Sequence, residues 1–354
     1  DIILLSFLCR GRGPAVASLR GKGVMAGTSA VEKASEDAER EEEQAEPAAK
    51  RPRSSLGALA SPAAALRRLL ADSGRRLLLM PCCGDALTAK LVVEAGFELT
   101  FLSGFALAAY RGHPDTGLVS YGEVVDQAAQ VCEAIRGRIP LICDADTGYG
   151  NPLNVKRTMR GLVRAGCAGV LLEDQENPKR CGHVQGKRVV ERAEAEARLR
   201  AAVDAREEMR AEGAGDLFIM ARTDARATHS LEEALDRCKR FMELGADMTF
   251  MEAPRDESEM RRYCAEVPGP KLANMLEGGV TPILQPAKLE DIGYKIAAYP
   301  LSLLSAGIKA QQEVLRRLKA GEVERVQEML LPFQETKRVV GFEDYNKEQV
   351  RYPY

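Results

Sequence analysis

The chain holds 354 residues, enough to bury one large core or two ordinary ones. Hydrophobic residues make up 45% and the formal net charge is −2, the balance of an ordinary globular protein. That near-neutral charge, with no Trp and few other aromatics, speaks against a nucleic-acid or membrane-binding surface, and no apolar run approaches the ~20 residues a membrane span needs.

Residues 1–70 read apart from the rest. The opening "DIILLSFLCRGRG" has the look of a targeting segment, though with little positive charge ahead of its apolar part. The chain begins on Asp1, and Met25 reads as a start. An acidic block, "EDAEREEEQAE", and the basic "KRPRSS" follow; so charged a stretch buries too little apolar surface to order itself. Residues 1–70 are therefore expected to be a disordered or targeting extension, KRPR being a short basic cluster of the kind that also serves as a nuclear address.

From about residue 75 short apolar runs alternate with longer helical segments. The predicted strands are LLLMPCC (77–83), ELTFLSG (98–104), PLICDAD (140–146), AGVLLEDQ (168–175), DLFIMART (216–223), DMTFMEA (247–253), KLANMLEG (271–278) and YKIAAYP (294–300). Between them YGEVVDQAAQVCEAI, NVKRTMRGLVRAG, ERAEAEARLRAAVDAREEMRAE and LEEALDRCKRFMELG carry helical patterns. Gly96, Gly166, Gly245 and Gly293 stand where a helix stops before the next strand, since only glycine takes the left-handed cap cheaply. Such alternation implies parallel strands, and eight units match a closed (β/α)8 TIM-type barrel of the α/β class over residues 75–345. An open doubly wound sheet is the rival, but PCCGDAL is a poor Gly-rich turn after a first strand. Two further helices, 302–319 and 322–338, exceed what closure needs and are expected to pack on a neighbouring subunit.

The nine cysteines are odd in number and lack paired CxxC spacing, which predicts reduced thiols. Cytosol, plastid and mitochondrion all fit; secretion does not.

In such a barrel the site lies at the carboxyl ends of the strands. The predicted strands do start apolar and finish polar: CDAD, LLEDQ, ARTD, FMEA, NMLEG. Asp144 and Asp146, two apart on one strand, are expected to point to one side, with Glu173, Arg222, Glu252 and Asn274 ending other strands. Carboxylates gathered at one mouth repel each other without a cation, and oxygen ligands favour Mg²⁺ or Mn²⁺. The plainer alternative is that each acid caps the helix after it. The stretch from Gln175 to Val190 has no helical period but holds Pro178, Gly182 and Gly186, the pattern of a lid. Within it Cys181, beside Lys179, Arg180 and His183, is expected to carry a lowered thiol pKa suited to proton transfer or nucleophilic attack; an inert exposed thiol is the alternative. A zinc site would need more Cys and His nearby than the segment holds.

Taken together, DADTGYGN (144–151), LEDQENPKRCGH (172–183), ARTDARA (221–227), EAPRD (252–256), NMLEGGVTP (274–282) and AYPLS (298–302) resemble the isocitrate lyase/phosphoenolpyruvate mutase superfamily, over roughly residues 75–345. The likeness is greatest to its smaller members: 2-methylisocitrate lyases, oxaloacetate acetylhydrolases and plant carboxyvinyl-carboxyphosphonate phosphorylmutase-like proteins. It implies a barrel assembled as a homotetramer, a dimer of dimers whose eighth helix is exchanged between paired subunits. It implies Asp144 as direct Mg²⁺ ligand, with Asp146, Glu173 and Asp115 (in HPDTGL) acting through waters. Ser103 and Gly104 of LSGF match a cradle for the substrate carboxylate, where Phe105 departs from the family pattern. Lys179, Cys181, Gly182 and His183 match the lyase lid, and Arg222, Glu252, Asn274 and Ser302 match substrate-contact positions.

The activity implied is Mg²⁺-dependent carbon–carbon cleavage of a small 2-hydroxy di- or tricarboxylate, 2-methylisocitrate-like, through an enolate, with Cys181 as general acid/base. Oxaloacetate acetylhydrolase is the near alternative. A phosphonomutase is the further one, against which PKRCGH speaks, because the family's mutases carry an Asn-bearing lid. A non-catalytic scaffold is the alternative of another class.

Overall fold

Eight parallel strands wrap into a nearly closed barrel in the computed structural model, which describes residues 61–182 and 186–352. They are β1 Leu78–Cys83, β2 Thr100–Leu102, β3 Leu141–Asp144, β4 Gly169–Glu173, β5 Phe218–Thr223, β6 Met248–Met251, β7 Leu272–Asn274 and β8 Ile296–Tyr299. Each falls inside a run predicted from the sequence. Neighbours pair in the order β6-β5-β4-β3-β2-β1-β8-β7, and the seam between β6 and β7 is closed by a single bridge, Thr249 to Lys271. The four glycines expected at helix ends have positive φ, from 82° at Gly96 to 111° at Gly293.

The strand period explains the core. Phe101, Ile142, Leu171, Met220, Phe250 and Leu272 share the barrel interior with Leu78, Met80, Phe218 and Ile296. Their odd-step neighbours Cys143, Val170, Leu172, Ile219 and Ala221 face the surrounding helices instead. Both faces are therefore apolar, as a sheet wrapped by helices requires.

Two boundaries differ from expectation. The helix Pro62–Asp72 starts within the stretch expected to be extension, yet it packs against β4 and β5. Ser61 caps it and Pro62 starts it, Ala63 and Leu66 are fully buried, and Leu66 reaches the barrel interior. Its Arg67 bonds Asp216 at 2.6 Å and Asp247 at 3.0 Å. The apolar stripe of PAAALRRLLAD thus orders residues 62–70, which charge content alone assigns to the extension. Residues 1–60, with Met25 and KRPR, lie outside the described residues.

At the other end, Ser302–Lys319 is helical as expected, but the helix expected over 322–338 is split into Val323–Gln327 and Phe333–Val340. Pro332 lacks an N–H and its ring would clash with the preceding turn, so the helix cannot run through it. A last helix, Phe342–Gln349, follows. These helices leave Leu315, Leu330, Leu331 and Phe333 exposed, the last at 75%. No helix among the described residues is long and apolar enough to cross a membrane, and the eight described cysteines are free thiols.

One buried network holds the end of β4 to β5 and to the helix Leu231–Glu243. Asp174 accepts from Thr223 Oγ1 at 2.6 Å, from the Asp224 amide at 3.0 Å and from Arg237 Nη1 at 3.0 Å, all buried. Arg237 also donates to the Val190 carbonyl at 3.0 Å and to Glu233 at 2.7 Å. Removing one partner of a buried pair strands the other's charge. Arg237→Met is expected to lower stability by about 3 kcal/mol in urea unfolding followed by circular dichroism.

Candidate active site

On six of the eight strands the last inward apolar residue has a polar successor two residues on. The parity that buries Phe101, Ile142, Leu171, Met220, Phe250 and Leu272 puts Ser103, Asp144, Glu173, Arg222, Glu252 and Asn274 at the carboxyl-terminal mouth. There they line one cavity of about 70 Å³, together with Asp115 and the loop residues Lys179, Arg180, Cys181 and Gly182. Phe105, Leu276, Pro300 and Leu301 supply an apolar side.

The acids converge closely. Asp146 is not on the strand as expected: β3 ends at Asp144, and Asp146 turns back with φ 46°. The turn still brings the two together, since the Asp146 amide donates to Asp144 Oδ1 at 3.1 Å. Tyr149, itself at φ 60°, donates its hydroxyl to Asp146 Oδ2 at 3.3 Å. Gly104 donates its amide to Asp144 Oδ2 at 3.3 Å, and a Cβ there would sit 2.8 Å from that oxygen, so the approach needs glycine.

Charge is unevenly matched in this site. Lys179 is buried and bonds Asp115, with Asp146 at 2.8 Å. Burial opposes its charge, yet Asp146, Asp144, Glu173 and Asp115 together hold its pKa well above the usual value. Arg222 Nε lies 2.8 Å from Asp224 and 3.4 Å from Glu173, and its Nη2 lies 3.2 Å from Glu252. Even so, burial, reinforced by Asp146, raises Asp144 to about 6, and burial lifts Glu173 well above the carboxylate range. The buried Glu173 Oε1 has no hydrogen-bond partner among the described residues.

This donor set fits a hard divalent cation. Among the described residues no three acidic, His or Cys side chains converge tightly enough to hold an ion by themselves. Mg²⁺ suits that arrangement, because it keeps several waters and takes one or two carboxylates directly. Asp144, Glu173 and Asp115 line the cavity, and the turn brings Asp146 beside Asp144.

Two stems and three ties fix the loop over the mouth. Gln175 bridges to Val189, and the Glu176 amide donates to the Arg188 carbonyl at 2.9 Å. The Gln175 side chain then clamps Arg180, donating to its carbonyl at 2.8 Å and accepting from its amide at 3.0 Å. Lys179 ties the loop to Asp115 and Asp146, so its ammonium is turned to the acids. Gly182 is buried against Arg222 and Glu252. His183 lies outside the described residues. Ser302 is not brought into the cavity: its hydroxyl is bonded to Glu277, while Pro300 and Leu301 line the wall in its place. Asp224, Lys187 and Gln175 were not singled out from sequence, although Asp224, two residues beyond Arg222 in ARTD, was legible as its partner.

A family model described as phosphoenolpyruvate phosphomutase matches residues 66–319. The chain belongs to the phosphoenolpyruvate mutase/isocitrate lyase superfamily. It is an enzyme of that superfamily's lyase and mutase class. The chain is 41% identical to a chloroplastic carboxyvinyl-carboxyphosphonate phosphorylmutase of Arabidopsis thaliana, over 80% of this chain and 83% of that one. It is 39% identical to the 2,3-dimethylmalate lyase of Eubacterium barkeri, over 82% and 98%. Among solved structures it is similar to an oxaloacetate acetylhydrolase bound to 3,3-difluorooxalacetate, with TM-score 0.76 and 33% identity over 81% of this chain and 95% of that one. It is also similar to a phosphonopyruvate hydrolase complexed with oxalate and Mg²⁺, with TM-score 0.71 and 26% identity over 82% and 99%.

A Cβ on Gly182 would lie 2.4 Å from Arg222 Nη2 and 2.6 Å from Glu252 Oε2, both held by buried partners. Gly182→Ala is therefore expected to keep the melting temperature and to lower kcat about 100-fold, because the loop can no longer seat. Steady-state kinetics and a thermal melt on the same preparation check both halves.

Proposed function

We propose that the protein is a Mg²⁺-dependent carbon–carbon lyase that splits a small 2-hydroxy di- or tricarboxylate into a 2-oxo acid and a second carboxylic acid. One observation carries the reading: Cys181 lines the same cavity as Asp144, Glu173, Arg222, Glu252 and Asn274. Relatives named as lyases of such acids support it.

Asp144 would hold Mg²⁺ (Mn²⁺ in its place), with Asp146, Glu173 and Asp115 supporting its waters. When bound, the ion neutralises negative charge that develops on substrate oxygens. The protein's own groups do the rest. Ser103 and Gly104 cradle a substrate carboxylate. Arg222, oriented by Asp224, offers a fixed positive charge in a water-poor site. Glu252 takes the proton of the 2-hydroxyl, the carbon–carbon bond breaks towards the leaving acid, and the Cys181 thiol delivers its proton to the carbon so released. Lys179, locked to Asp115, is part of a cover that keeps bulk water from the carbanion. Asn274 positions Glu252, whose oxygens lie 3.3 and 3.4 Å from its amide nitrogen.

A thiol at the cover is what separates this reading from a phosphonomutase, whose cover in this family carries an amide. Oxaloacetate acetylhydrolase activity on the same scaffold is the second reading, favoured by the likeness to such a structure. The exposed Leu315, Leu330, Leu331 and Phe333 support a homotetramer whose carboxyl-terminal helices pack on a second subunit. Free cysteines support a reducing compartment, cytosol or organelle; the Arabidopsis relative is named chloroplastic.

Screening 2-methylisocitrate, 2,3-dimethylmalate, oxaloacetate and phosphonopyruvate with purified protein and Mg²⁺ tests the assignment; turnover of only the phosphonate would overturn it. Cys181→Ser is expected to lower turnover at least about 1000-fold while leaving the fold and Mg²⁺ binding intact. Asp144→Ala is expected to abolish the rise in melting temperature that Mg²⁺ with oxalate gives the wild type. Full rates after chelation would refute the metal assignment.

A further inference from the structure

Lys187 stands out as a buried cation that the proposed chemistry does not use. Its side chain is 5% exposed, and its Nζ lies 2.8 Å from Asp224 Oδ1 and also donates to the carbonyl of Gly182. It does not line the cavity, so it does not touch a substrate there. Asp224 is fully buried and shares that same Oδ1 with Arg222 Nη2 at 3.1 Å, while its Oδ2 takes Arg222 Nε at 2.8 Å. Asp224 is itself fixed, because its amide donates to Asp174 in the Arg237 network. One carboxylate therefore orients Arg222 and anchors the lysine that grips the loop.

The position of Lys187 along the chain matters. It lies next to Arg188 and two residues before Val189, where the loop's two stems pair, and it bonds back across five residues to Gly182. Gly182 in turn is pressed against Arg222 and Glu252. Lys179, Arg180, Cys181 and Gly182 line the cavity from the loop.

We propose that Lys187 is a positioning residue: a latch that seats Gly182 on the Arg222–Glu252 pair, and so brings Cys181 to the reacting atoms, using the carboxylate that sets Arg222. This rests on the lyase reading only for its kinetic arm. With the latch made, loop closure and the orientation of Arg222 depend on one buried anion. Without it, the Gly182 carbonyl loses its charged donor and the closed loop loses population, while Asp224 keeps Arg222 and the fold is retained.

The test uses the full chain without ligand. Alkylation of Cys181 by iodoacetamide is followed by peptide mass spectrometry, which separates it from the other thiols. Lys187→Met is expected to speed alkylation about 10- to 100-fold, the loss of one hydrogen bond to a charged donor, and Lys187→Arg to restore most of the protection. On any acid that is turned over, kcat falls in Lys187→Met while KM changes less than about twofold. Should Lys187→Met not fold by circular dichroism, Lys187→Gln is judged by the same criterion. Alkylation at the wild-type rate in a folded variant overturns the latch, as does a rise in KM with kcat unchanged. If the wild type turns over none of the acids, the lyase reading fails, and the alkylation arm still decides the latch.

Discussion

A strand turns every second side chain the same way, and in a closed barrel one of those directions is the interior. The rest of this site depends on that parity. Leu171 and Glu173, Met220 and Arg222, and Leu272 and Asn274 are pairs on single strands, the first of each in the apolar core and the second at the mouth. Register carries the effect across strands, since Glu173 lies beside Arg222 in the β4–β5 pair. A one-residue slip would exchange the core face for the helix face and remove the site at once.

Parity gathers charge faster than it balances it. Asp115, Asp144, Asp146, Glu173, Glu252 and Asp224 meet Lys179, Lys187 and Arg222 in a small volume of low dielectric. The raised pKa values of Asp144 and Glu173 and the orphaned Glu173 oxygen express the same deficit. Structural ion pairs explain Asp174, which is fully matched by Arg237 and Thr223 on the side away from the cavity. They do not explain Asp144. The site as it stands is short of positive charge, which is what the proposed cation would supply.

The loop uses the same currency. Its two buried lysines each answer a carboxylate on the barrel, Lys179 at Asp115 and Lys187 at Asp224, so the cover is seated at two ends by charge and held in the middle by the Gln175 clamp on Arg180. Phe105 lines the cavity on its apolar side.

Strand runs, helix-end glycines and strand-end polar residues were legible because they are local: period, cap chemistry and spacing need no distant partner. The barrel, the convergence of Asp144, Glu173, Arg222, Glu252 and Asn274, and the loop over them follow from that pattern, and the motifs named the superfamily. Only the tertiary structure decided what depends on residues far apart in the chain. It ordered Pro62–Asp72 beneath the barrel, since the burial of Leu66 needs β4 and β5; it turned Asp146 off the strand; and it left Ser302 with Glu277. It also paired Lys187 with Asp224 across 37 residues, a contact that no periodicity encodes because it exists only once the barrel has closed.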